Sequence, residues 1–197
     1  MLERITLFSD GVIAIAITLL VLDIRLPDVP LGSGSALRDA LLGLGPKYLA
    51  YVMSFLVVGS FWVGHLQKFR LIRRYDAGLI WLNLLFLMTI GFVPFASSVL
   101  ALRAGATGEA FYDATMLAAG LLSAATWLYA SGGDRLIDPG LDPAVRRRSL
   151  LAPLKMAVVF ALALILTIAA PNVSRWVWLL LVPAAFGRSH RAPLVRN

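Results

Sequence analysis

The feature that most constrains this chain is a series of long apolar runs, the first extending from about Ile5 to Leu26 and interrupted by Asp10 and Asp23. A helix needs about 20 such residues to cross the hydrocarbon of a bilayer, where every backbone amide must find its partner inside the segment. Comparable runs follow at about 48–65, 77–102 (with Pro94 inside it), 111–130 and 153–170. A shorter one at about 174–187 covers only about 20 Å and needs local thinning or a partner helix to cross. Between the first two runs, LGSGSALRDALLGLG reads as a loop with a short amphipathic segment. The expected fold is an all-α integral membrane protein of six transmembrane helices, in a single membrane domain over 1–197 without internal repeats.

Composition and charge agree with that reading. Only 15% of residues are charged and 59% are hydrophobic, at a mean hydropathy of +0.82. A soluble domain carries about a quarter charged residues, so this chain could not cover its apolar surface in water. The absence of cysteine excludes disulfides and thiolate-bound metals. The net charge of +7 lies in short clusters between the runs, as topology requires, and does not point to nucleic acid. With six spans, one side holds Arg4, Lys68, Arg70, Arg73, Arg74, Arg135, Arg146, Arg147, Arg148, Lys155, Arg188, Arg191 and Arg196. The other holds Arg25, Arg38, Lys47, Arg103 and Arg175. The imbalance predicts a multi-pass protein with both termini in the cytoplasm. No cleaved signal peptide is expected, because the first run follows Glu3 and Arg4 directly, contains Asp10 and ends without a small-x-small site.

Polar residues inside the spans carry the functional information. An ionised carboxylate facing lipid at the depth of Asp10 is costly, so it should meet protein or water and have a partner. A structural helix–helix hydrogen bond, a part in ion passage and a place in a gating network all remain open for it. Gly11, Ala14, Ala16 and Thr18 allow close approach of neighbouring helices, which places the first helix among protein. Gly11, Ile15, Thr18, Leu22 and Arg25 share one helical face, with Leu19 beside them. Ordinary packing would explain the apolar members; stacked around a symmetry axis, they would instead form rings able to close a pore by dewetting. His65, in FWVGHLQKF, falls on the same membrane side as Arg4 and Asp10 and reads as a hydrogen-bonding residue. A metal site is not expected, since the only other histidine is His190. The chain has no TVGYG filter, Walker loop, HExxH, GxSxG or dinucleotide fingerprint, so neither an enzyme nor a cofactor is expected.

The first span, RITLFSDGVIAIAITLLVLDI, resembles the first helix of the endosomal and lysosomal transmembrane potassium channel family in its short bacterial branch. Arg4, Phe8, Ser9 and Asp10 match the Arg-x-x-x-Phe-Ser-Asp hallmark, and Trp62, His65, Asn83, Pro94 and Phe95 are similar to features of spans two and three. The likeness covers the first half closely and the second mainly by span count. It implies a homotetramer in the bacterial plasma membrane, with the first helices around a central path for potassium and other monovalent cations. It further implies a constriction at Ile15 with rings at Leu19 and Leu22, and an influence of Thr18 on ion preference. Arg4, Ser9, Asp10, His65 and Asn83 would form a polar network supporting the first helix. An apolar ring supplies no ligands to replace a hydration shell, so selectivity over sodium should be modest. A secondary cation transporter and a non-conducting structural or regulatory subunit are the rival readings.

Overall fold

The structure, a computed structural model, describes residues 1–28, 34–102 and 105–169. Helix α1 (Leu2–Leu19) tightens into a 3-10 turn over Leu20–Asp23. It is followed by α2 (Gly34–Gly43), α3 (Gly45–Leu71), α4 (Ala77–Ala101), α5 (Ala106–Ser131) and α6 (Pro143–Ala169). Among the described residues, α1 with its 3-10 extension, α3, α4, α5 and α6 are long and apolar enough to cross a membrane. The run at about 174–187, with Arg175, Trp176 and Trp178, lies outside the described residues, as do Arg103, Arg188, His190, Arg191 and Arg196.

Two sequence-based boundaries require correction. Helix α3 continues through 66–71, which hydropathy assigned to a loop, and α6 begins at Pro143 rather than Pro153. Each has 27 residues, about 40 Å of helix against about 30 Å of hydrocarbon. Hydropathy registers only the part in the hydrocarbon, whereas the helices continue through the headgroup layer carrying basic residues. Pro94 and Pro153 both sit inside unbroken helices, as packed membrane helices tolerate.

The core runs through the middle of the bundle. It joins Ile13, Ala16 and Leu20 of α1 to Val58 and Phe61 of α3, Phe86 and Ile90 of α4, Tyr112 and Met116 of α5, and Phe160 of α6. Lipid gives apolar side chains little reason to leave it, so close backbone packing must hold the helices together. The α5–α6 seam shows how close: a Cβ added at Gly120 would stand 3.0 Å from the Ala157 amide nitrogen.

A second apolar cluster, Phe69, Ile72, Leu79, Trp127, Leu136 and Ile137, ties together the turns at the basic end. Ile72 pairs with Ile137 in an isolated antiparallel bridge, and the amides of Arg73 and Arg74 donate to the Leu136 carbonyl at 2.8 and 3.1 Å. After α5 the chain reverses through Gly133 (φ 57°) and Asp134 (φ 55°), a left-handed pair that glycine and aspartate adopt at least cost. The Asp134 carboxylate then meets Arg146 at 2.9 Å. Asp76 caps α4 by accepting the Leu79 amide at 2.9 Å and also takes the Tyr129 hydroxyl at 2.8 Å. Met1–Glu3 line a groove with Arg73–Tyr75, which brings the N-terminus to the same end.

Candidate functional site

Helix α1 has two distinct faces. Ser9, Ile13, Ala16 and Leu20, at three- and four-residue spacing, are buried in the bundle. Away from them, Phe8, Gly11, Ile15, Thr18, Leu19 and Leu22 are exposed on the subunit surface, with Ile15 and Leu22 each at 60% and Leu19 at 42%. The Thr18 hydroxyl donates to the Ile15 carbonyl at 2.8 Å, which leaves its oxygen on the exposed face as an acceptor. Because the helix tightens to three residues per turn after Leu19, Leu19 and Leu22 fall into one row. Arg25, which the sequence placed on this face, lies beyond the helix.

The buried face is anchored by hydrogen bonds whose direction can be read. Ser9 Oγ donates to the Ile5 carbonyl at 2.8 Å and accepts from Asn83 Nδ2 at 2.9 Å. The Asn83 amide oxygen is therefore turned toward His65 Nε2, 2.9 Å away, and that nitrogen must carry the proton. Every donor in the line thus points from α3 through α4 toward α1. The His65 ring is held by stacking on Phe69 at 4.1 Å and Phe86 at 5.7 Å, and its Nδ1 is buried without a hydrogen-bond partner. Asp10, one residue past Ser9, turns to the α1–α3 seam, where its Oδ1 accepts from Trp62 Nε1 at 2.8 Å.

Of the residues singled out from the sequence, Ser9, His65 and Asn83 thus lie in one line and Asp10 lies beside it. Arg4 is exposed and makes no hydrogen bond or ion pair with them among the described residues.

Sequence reading missed three further polar contacts. Lys68, counted there as a loop cation, is buried in α3 and donates to the Ser123 carbonyl at 2.9 Å and to the Ser123 hydroxyl. Its spacing from His65, one helical turn, was the available signal. Ser54 donates toward Ser97 Oγ at 3.0 Å and lies 3.1 Å from the Tyr112 hydroxyl, joining α3, α4 and α5. Asp113, fully buried in α5, takes a 3.4 Å contact from the Thr167 hydroxyl of α6. Among the described residues, no three histidine, cysteine or acidic side chains gather as a metal site.

The comparisons with known proteins take in this part of the chain and extend beyond it. The model of a family described as the endosomal/lysosomal potassium channel TMEM175 matches residues 4–94, from α1 through most of α4. A potassium channel of Streptomyces collinus is 44% identical over 149 residues, covering 73% of this chain and 71% of its own length. A potassium channel of Chamaesiphon minutus is 36% identical over 170 residues, covering 82% and 84% respectively. The crystal structure of a lysosomal potassium-selective TMEM175 homolog from Chamaesiphon minutus matches at a TM-score of 0.82 and 30% identity, over 96% of this chain and 98% of that one.

Proposed function

Because this chain belongs to the TMEM175 family of endosomal/lysosomal potassium channels, we propose that it is a potassium-permeable channel whose first helices line the ion path. It is a membrane protein and not an enzyme. Four copies meet around an axis, and the exposed row of Ile15, Leu19 and Leu22 on each α1 forms stacked hydrophobic rings, the narrowest at Ile15. Thr18, one turn below Leu22, offers the row its only oxygen acceptor and biases the passage among monovalent cations. Water columns form or break between the bulky side chains, and conduction follows the water. The basic end faces the cytoplasm of a bacterial cell, in accordance with the positive-inside rule.

The observation that carries this reading is the asymmetry of α1. Only 22% of its apolar stretch is buried within the subunit, against 33% for α3, α4 and α6 and 56% for α5, although α1 is the helix with the hydrogen-bonded anchor. A helix fixed on one side and bare on the other is suited to meeting copies of itself. Apolar rings without a carbonyl cage favour potassium over sodium only modestly.

Planar-bilayer recording of purified protein under a potassium–sodium gradient tests the proposal. Unitary currents that grow with driving force and reverse between zero and the potassium potential are the expected result. Saturating, proton-coupled flux would make the protein a transporter, and the absence of current would make it a non-conducting subunit.

A further inference from the structure

Helix α6 presents an unbroken exposed stripe, Arg148, Ala152, Lys155, Val158, Leu162 and Ile165, each three or four residues from the next. The stripe is cationic at its first two turns and wholly apolar after them. Arg148 and Lys155 lie two turns apart, about 10.5 Å along the axis, with the exposed Leu151 and Ala152 between them. The long side chains of both can therefore converge on one small anion. Neither makes an ion pair or hydrogen bond among the described residues, whereas the nearby Arg146 is held by Asp134. The whole of α6 contains no Asp or Glu.

The setting makes unpaired cations costly. Arg146, Arg147 and Arg148 stand close to the N-terminus of α6, where the helix macrodipole adds positive potential instead of relieving it. Lys155 stands deeper, past Pro153, where the chain has entered its apolar run. An ammonium at that depth must reach back to the interface or find an anion in the membrane. Positive-inside bias accounts for the three arginines but not for a lysine two turns further in, on the same line.

We infer that the exposed face of α6 is a binding site for an anionic phospholipid, whose phosphate lies over Ala152 between Arg148 and Lys155 and whose acyl chain follows Val158, Leu162 and Ile165. The charged head and the apolar track are contiguous and in the order that a lipid presents them. A free anion would use the first and not the second.

Native mass spectrometry of the purified channel, titrated with phosphatidylglycerol or phosphatidylcholine, tests the assignment. Arg148→Gln with Lys155→Gln should weaken phosphatidylglycerol binding by roughly fivefold per cation, about twenty-five-fold for the pair. Arg73→Gln with Arg74→Gln removes equal charge from the same end and should leave that binding near that of the parent chain. Lys155→Arg should retain it. Equal losses from the two double variants would reduce the effect to a diffuse basic belt and overturn the proposal. So would phosphatidylcholine binding as tightly as phosphatidylglycerol, or inorganic phosphate displacing the lipid. All the substituted side chains are exposed, so size-exclusion profiles matching the parent are expected for every variant.

Discussion

The line from His65 through Asn83 to Ser9 makes a quantitative prediction about how α1 is held. In Asn83→Leu the volume is nearly kept, but the proton on His65 Nε2 loses its acceptor inside the bundle, and Nδ1 is already without a partner. Ser9 loses little, because its hydroxyl still donates to the Ile5 carbonyl. A buried donor left unpaired costs about 1–3 kcal/mol in water-soluble proteins, whereas measured couplings in membrane bundles average about 0.6 and reach about 1.7 kcal/mol. A destabilisation of about 1–1.5 kcal/mol is expected for Asn83→Leu. In His65→Phe the ring keeps its stack between Phe69 and Phe86, and only the Asn83 oxygen is orphaned, so the loss should be smaller. The double variant strands neither group. It should be no worse than Asn83→Leu alone, giving a coupling of about 1 kcal/mol, or about fivefold in the unfolding equilibrium. Reversible unfolding in mixed micelles, followed by circular dichroism, measures all four corners of the cycle. Strictly additive losses would refute the directional chain and reduce both residues to independent packing.

Three other outcomes are expected. Ile15→Asn should lower the dewetting barrier and raise resting cation leak in liposome flux assays, and unchanged leak would place the constriction elsewhere. The Leu79 amide and then the Tyr129 hydroxyl hold the Asp76 carboxyl below the usual carboxylate range. The stability advantage of the parent chain over Asp76→Asn should therefore be constant between about pH 5 and 8 and shrink only below about pH 4, and an advantage that grows on acidification would contradict the cap. Lys68→Met keeps the apolar stem and removes an ammonium whose partners, the Ser123 carbonyl and hydroxyl, are both neutral. Because an ammonium without a counter-charge is costly to bury, the melting temperature should stay level or rise by a few degrees, and a fall of similar size would show that the bond to α5 outweighs its desolvation.

Hydropathy alone located the interiors of the five described spans, because lipid contact demands greasy side chains whatever the partners. It placed the ends of α3 and α6 too early and too late, since outside the hydrocarbon a helix is free to be polar. That error had a price: Lys68 was counted as a loop charge when the bundle encloses it. Asp113 was overlooked for the opposite reason, sitting between apolar neighbours in a run that stays hydrophobic on average. Ser9 and Asp10 illustrate the remaining gap. Adjacent in sequence, they point about 100° apart on the helix, one to Asn83 and the other to Trp62. Composition marks both as costly in lipid, but only the packing of α3 and α4 decides which partner each finds.

The same rotational arithmetic links the anchor to the exposed face. Ser9 and Ile15 are six residues apart, which places them about 120° from each other around α1. With Ser9 bonded to Asn83 and Asp10 to Trp62, two directions around the helix are occupied, and the direction of Ile15 follows from them. A rotation large enough to turn Ile15 into the bundle must break both bonds and strand the buried Asn83 donor away from water. In the proposed assembly, residues that never touch an ion would thus set how wide the rings stand, and a perturbation of His65 or Asn83 should be felt at Ile15 as a change in helix phase.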